Sequence, residues 1–416
     1  MTDRAHDLTD VAGSRATTRA LWVAFALYVV SAVAVALQRT VLSPENNFAI
    51  LRSAAMHLAS GEDLYAAYPA LHADFFKYSP TFALLFRPFA LLPVVPAYVA
   101  WSLCCASAVF VGITRLLSPR DAVVALLLAW LSVVGDLQRA QSNALVAGLI
   151  LLAWAAFERS RPWAAAAAIA TGAFVKIFPL AGLVGAVLHP RRARFAFRFA
   201  VALAVGIALP LLVTSPSLLA GQYASWRAIE SLDAAPLARY GAGGAGLYAG
   251  LMGALRTWFG VEWPHWPVQL GGLALLLAPV AWRRDRWGDP QFRITLVASI
   301  LVFCVLFNHQ SESPSYAIAM IGISVWFAAS DRTGWRIALL VFAILVVNLG
   351  STDLMPRAWY RDYYVRYMLK TVPLIPVWIV MQLELLGVVH NRQAMSAIRE
   401  GDAGDARILE RAPDAR

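Results

Sequence analysis

Two short polar clusters interrupt an otherwise apolar chain, and both carry groups able to move a proton or hold a phosphate. The first reads Gln138-Arg139-Ala140-Gln141-Ser142-Asn143, with Asp136 just before it. The second reads Asn308-His309-Gln310-Ser311-Glu312-Ser313. A carboxylate held in so short a loop, Glu312, suits a general base, and the neighbouring His309 suits a phosphate ligand or proton shuttle. A hydrogen-bonded loop anchor is the plainer reading of the same groups. Arg139 beside Asp136 suits either a local ion pair or a phosphate contact. Lys176 interrupts the apolar stretch 163–188, where a lysine is costly unless an anion or water meets it. A lipid phosphate is one such anion, bound by lysine as a point charge; snorkelling to the interface is the alternative.

A third stretch, 46–93, interleaves Tyr65, Tyr68, Phe75, Phe76 and Tyr78 with Glu62, Asp63, Asp74 and Lys77. Aromatic faces beside carboxylates suit a sugar, which offers CH faces and hydroxyl donors; an interfacial aromatic belt has the same composition. The run from Gly241 to Gly246 spells GxGxxG but follows no strand, so it reads as a flexible loop rather than a dinucleotide site. Cys104, Cys105 and Cys304 all sit in apolar runs and read as packing residues. No metal site and no cofactor is expected.

The elements that must hold these groups lie in a membrane. The 416 residues are 60% hydrophobic and only 14% charged, whereas a soluble domain is about a quarter charged. A spanning helix needs ~20 apolar residues. Twelve apolar segments, within a range of 10–13, lie near 20–37, 94–117, 121–136, 142–157, 163–175, 177–188, 195–214, 268–282, 293–307, 314–329, 335–349 and 371–388. This predicts an all-α polytopic membrane protein, with the bilayer as its first partner. The net charge of +10 belongs to arginines flanking spans and implies no nucleic acid. The N-terminal stretch lacks a cleavage-site pattern, so the first apolar run reads as a retained span.

Charge sets the orientation. If 163–188 is a pair of short helices, the Arg-dense short loops fall on one side, cytoplasmic by the positive-inside rule. These include Arg191, Arg192, Arg194 and Arg198, and Arg283, Arg284, Arg286 and Arg293. A single helix over 163–188 would send both clusters outside. The paired reading puts Lys176 at the outer tip of a hairpin. It also places the loops 38–93, 215–267 and 350–370, the polar clusters, and all three lysines, Lys77, Lys176 and Lys370, on the extracytoplasmic face. Both tails, 1–19 and 389–416, then lie in the cytoplasm, the second expected to be disordered, around a membrane domain 20–388. Within the first loop, Phe82 to Leu92 reads as an interfacial amphipathic helix. There is no internal repeat of the kind many transporters carry.

Four short motifs, in order, resemble the membrane glycosyltransferases of the GT-C class, and most closely glycosyltransferase family 87. They are Ser60-Gly61-Glu62-Asp63-Leu64-Tyr65; Tyr78-Ser79-Pro80 leading to Pro88, Leu92-Pro93 and Trp101; Ala140-Gln141-Ser142-Asn143; and Val175-Lys176 with Pro179. The resemblance implies a GT-C-like bundle in a bacterial inner membrane with a periplasm-facing site. It implies a hexose, such as mannose, moved from a polyprenyl-phosphate-linked donor to a glycan or glycolipid acceptor. On this reading Lys176 meets the donor phosphate with Arg139 or His309, and Gln141, Asn143, Lys77 and Tyr78 line the substrate site. In the family an Asp opens the first outer loop as the presumed base. Here the stretch reads Asn46-Asn47-Phe48, and an amide cannot accept that proton. The base is then another carboxylate (Glu312, Asp136 or Asp63), or the branch has altered or lost activity. Two other classes fit the same residues: a multi-span transporter, and a non-catalytic subunit of an envelope-polysaccharide assembly system.

Overall fold

The computed structural model describes residues 2–42, 46–233, 250–350 and 354–389, and among them every regular element is helical. Helix α1 runs Thr2–Leu42, α2 Asn46–Ser60, α3 Pro80–Ala90, α4 Val94–Leu116, α5 Pro119–Gln138, α6 Asn143–Glu158 and α7 Pro162–Val175. A 3-10 turn, Phe178–Leu183, leads into the short α8, Val184–Val187. Then come α9 (Arg192–Ala208), α10 (Pro216–Asp233), α11 (Leu251–Phe259), α12 (His265–Trp282), α13 (Pro290–Leu306) and α14 (Tyr316–Ala328). Helix α15 (Gly334–Ala343) continues as a π-helical run, Ile344–Leu349, before the short α16 (Arg357–Trp359) and α17 (Leu374–Leu386).

Among the described residues, five stretches are long and apolar enough to cross a membrane: Arg15–Val41, Val94–Leu116, Pro119–Gln138, Arg192–Leu212 and Leu369–Leu386. Six further apolar helices run only 10–17 residues. The chain is an all-α polytopic membrane protein. Each of the twelve apolar segments falls on helical backbone, but counting apolar runs does not fix the number of full crossings, because short helices shielded by protein need not span. The glycine run at 241–246 lies outside the described residues.

Helix α14 is the axis of the bundle. It is buried from Tyr316 to Ala328 on every side, as a helix apolar all round must be. It packs against α5, α6 and α13. Between α4 and α6 the backbones approach through small residues: a Cβ on Gly148 would lie 2.5 Å from the Ala108 carbonyl carbon. Close backbone approach of this kind drives helix association where lipid removes the hydrophobic incentive.

One buried ion pair ties α14, α15 and α17 together. Arg336, 1% exposed, donates from Nε and Nη2 to Glu384 Oε1 at 3.1 and 2.7 Å, and Trp326 Nε1 donates to Glu384 Oε2 at 2.8 Å. Arg336→Met strands a buried carboxylate, so it is expected to destabilise the fold by about 3–5 kcal/mol, with much of that recovered in Arg336→Met/Glu384→Leu. Thermal unfolding in detergent checks this; an unchanged melting point in the single variant would mean that water already solvates the pair.

The 163–188 region is the broken pair that the charge pattern requires. Lys176 leaves the helix with extended φ and ψ of −149° and 151°, and the 3-10 turn folds back along α7. A Cβ at Gly172 would meet Pro179 side-chain atoms at 2.7 Å, so only glycine lets the two arms close this far. The described parts of the stretches expected to be long outer loops also contain helices. The first contains α2 and α3, and 215–267 contains α10 and α11. Helix α3 begins with Ser79 as its N-cap, accepting from Phe82 N, and Pro80 at its first position, the favoured start of a helix. It buries Phe82, Ala83, Phe86 and Ala90 and leaves Leu91 and Leu92 exposed.

Candidate functional site

The first polar cluster is a tight turn between α5 and α6. Arg139 N and Gln141 N both donate to Asp136 O, at 3.1 and 3.2 Å, and Ala140 takes a left-handed φ of 48° to reverse the chain. The Asp136 carboxylate is buried and fully used. Its Oδ1 accepts from Asn143 Nδ2 at 2.8 Å, and its Oδ2 accepts from Ala144 N at 2.8 Å. It thus fills unpaired N–H groups at the start of α6, where the helix dipole favours negative charge. Asn143 passes the arrangement on: its Oδ1 accepts from Lys176 Nζ at 2.7 Å. Lysine, amide and carboxylate form one chain, with the lysine facing the larger of two cavities. Burial works against the Lys176 charge, while Glu312 and then Asp136 act in its favour.

The hairpin tip is fixed from a second direction. Ser79 Oγ donates to Phe174 O at 2.6 Å while also capping α3. The Tyr78-Ser79-Pro80 motif therefore starts a helix and anchors the last turn before Lys176. Thr81 Oγ1 donates to Gly206 O at 2.8 Å, drawing α9 onto the same helix.

Lys176 opens into a cavity of about 650 Å³, within the usual range for a small-molecule site. Its cations are Lys77, Lys176 and Arg227, its carboxylates Asp74, Glu230 and Glu312, and its amides Asn47, Gln141 and Gln310. Phe75, Tyr78, Phe174, Ile177, Phe178, Leu180, Leu203 and Trp226 supply an apolar wall. Helix α10 closes one side by clasping the first loop. Gln222 accepts from Leu64 N at 3.0 Å and donates to Glu62 O at 2.8 Å, and Trp226 Nε1 donates to Lys77 O at 3.3 Å.

Lys176, Glu312, Gln141, Asn47, Lys77 and Tyr78 are thus brought together, with Asn143 and Asp136 directly behind the lysine. Three residues stand elsewhere. Arg139 lines a second cavity, of about 310 Å³, with Lys370. Asp63 belongs to the clasp, its Oδ1 accepting from Tyr65 N at 3.1 Å and its Oδ2 from Ser225 Oγ at 3.4 Å. His309 stacks on His265 with ring centroids 5.0 Å apart and lies 3.1 Å from Gln269 Nε2. Asn47 lends its amide to the turn, donating from Nδ2 to Arg139 O at 3.0 Å. Asn46 opens α2, and its side chain lies outside the described residues. Sequence reasoning did not single out Arg227 and Glu230, whose spacing puts them on one face of a helix. The signal was present, but the stretch read as a loop.

A family profile described as glycosyltransferase family 87 matches residues 75–308. Comparison with curated proteins finds no match. Among solved structures, ArnT from Cupriavidus metallidurans bound to undecaprenyl phosphate is 17% identical, with 89% of this chain and 76% of that one covered and a TM-score of 0.40. The oligosaccharyltransferase from Archaeoglobus fulgidus in the apo form is 12% identical, with 84% and 56% covered and a TM-score of 0.39. The archaeal oligosaccharyltransferase AglB from Archaeoglobus fulgidus, in complex with an inhibitory peptide and a dolichol-phosphate, is 13% identical, with 87% and 56% covered and a TM-score of 0.38. The chain spans a little over half the length of the two oligosaccharyltransferases.

Proposed function

Because this chain belongs to glycosyltransferase family 87, we propose that it transfers a hexose from a polyprenyl-phosphate-linked donor to a hydroxyl of a glycan or glycolipid acceptor, within the Lys176 cavity. The observation that carries this reading is the pairing, in one largely apolar cavity, of a cation held by Asn143 and Asp136 with a carboxylate, Glu312. An apolar wall beside a fixed cation suits a lipid phosphate. The aromatics Tyr78, Phe75 and Trp226 suit the sugar's CH faces.

The donor approaches from the bilayer, and its phosphate meets Lys176. Glu312 removes the proton of the acceptor hydroxyl. The resulting oxygen forms a bond to the anomeric carbon as the bond from that carbon to the phosphate oxygen breaks, and polyprenyl phosphate leaves with the electron pair. Charge grows on that phosphate in the transition state, where a preorganised cation acts most strongly. Asp136, with both oxygens already bonded, is a positioning residue and not the base. Asn47 steadies the turn in place of a proton acceptor.

Orientation follows from the same charges. Arg clusters at 191–198 and 283–293 keep their loops cytoplasmic, which directs the cavity to the outer face of a bacterial inner membrane, with α3 along its surface. The direct test supplies the purified full-length protein, in liposomes, with a polyprenyl-phosphate hexose, mannose first, and a glycolipid acceptor. The expected result is acceptor-dependent release of polyprenyl phosphate. Transfer from a nucleotide sugar but not from the lipid donor would overturn the reading.

A further inference from the structure

The second cavity, of about 310 Å³, is lined by the first residues of the 136–144 turn, Asp136, Gln138 and Arg139. Its cations are Arg139, at the end of α5, and Lys370, just before α17. Lys370 is only 8% exposed. Its Nζ donates to Ser313 O at 3.0 Å and to Ser313 Oγ at 2.8 Å, and lies 5.1 Å from the centre of the Tyr316 ring. Arg139 lines the same cavity as Lys370. Two like charges brought together around a cavity repel one another, and a buried ammonium is costly without an anion. Neither cation is in an ion pair among the described residues. The one carboxylate in the wall, Asp136, has both oxygens committed to Asn143 and Ala144. Ser132, which donates to Asn348 Oδ1 at 2.7 Å, adds polar lining.

We infer that the Arg139–Lys370 cavity binds a phosphate group, separately from the donor phosphate at Lys176, and so selects an anionic acceptor. The inference rests on the glycosyltransferase reading and names the acceptor's chemistry. A phosphodiester in a lipid headgroup and a soluble phosphate both fit two cations at this depth. A guanidinium beside an ammonium suits phosphate oxygens of either source.

The test uses the delipidated full-length protein re-lipidated with phosphatidylglycerol or phosphatidylcholine, with bound lipid read by native mass spectrometry. Wild type is expected to retain phosphatidylglycerol preferentially. Arg139→Gln and Lys370→Met are expected to lose that preference by about tenfold or more, one lost charge-assisted contact being worth about that factor. Asn348→Asp keeps an acceptor for Ser132 while adding a negative charge, so it is expected to do the same even if Lys370→Met folds poorly. Inorganic phosphate that raises the melting temperature of wild type but not of the variants, without lipid preference, assigns the site to a soluble phosphate. Equal phosphatidylglycerol and phosphate binding in wild type and all three variants overturns the inference. A parallel arm measures polyprenyl-phosphate binding. If Lys176→Gln leaves it intact, the donor assignment fails while the second site stands on its own measurement.

Discussion

Glu312→Gln is expected to lower kcat for sugar transfer by about 10²–10⁴-fold, the usual contribution of a positioned base, while the donor KM changes little. Glutamine keeps the size and one acceptor oxygen of Glu312 but has no lone pair basic enough to take the acceptor proton. The loop that holds it is fixed independently of the carboxylate: Ser311 Oγ donates to Val305 O at 2.6 Å, and Ser315 N donates to Glu312 O at 3.0 Å. Loss of rate without loss of donor affinity therefore separates chemistry from folding. Asp74→Asn and Glu230→Gln remove the other two carboxylates of the cavity and are expected to have smaller effects. A normal rate in Glu312→Gln, with a collapse in either of the others, would move the base to that residue.

The second large effect belongs to Lys176. Lys176→Gln is expected to reduce kcat/KM by about 10²–10³-fold, the range seen when one group stabilising a developing anion is removed. The loss should appear in polyprenyl-phosphate binding as well as in rate, because the donor already carries charge in the ground state. Glutamine can still donate to Asn143 Oδ1, so the Asn143–Asp136 link behind the lysine need not collapse. Unaltered affinity for polyprenyl phosphate would show that the ammonium serves the hairpin and not the donor.

Much of this was legible in the chain, for reasons that differ from residue to residue. The arginine clusters at 191–198 and 283–293 required a hairpin over 163–188, and Gly172 against Pro179 is how the hairpin closes. The motifs were legible as resemblances, and several of their residues line or brace the Lys176 cavity. Ser79 ties α3 to the end of α7, Gln141 and Lys176 line the cavity, and Asn143 links lysine to carboxylate. What periodicity could not supply was pairing across distance. Asp136 looked like a base or an ion-pair partner of Arg139 because the two are three residues apart. Yet the turn through Ala140 directs Arg139 towards the second cavity, whereas the carboxylate binds the next helix. Helix α10 was hidden because Gln222, Arg227, Glu230 and Asp233 break up its apolar residues, which leaves no spanning signal. Lys370 gave no sign of its depth, because burial of a lone lysine is set by Ser313 and Tyr316, more than fifty residues earlier.

The turn from Asp136 to Ala144 is shared by both cavities, and this bears on how such a protein can change its substrates over time. Each side is furnished by residues the other does not use: Lys176, Lys77 and Glu312 on one, Lys370, Arg139 and Asn348 on the other. Substitutions on the second side can drift without disturbing the first, so descendants with new acceptors can inherit the donor chemistry intact. Asp136 walls the second cavity and, through Asn143, braces the lysine of the first, so it is the residue such drift cannot touch.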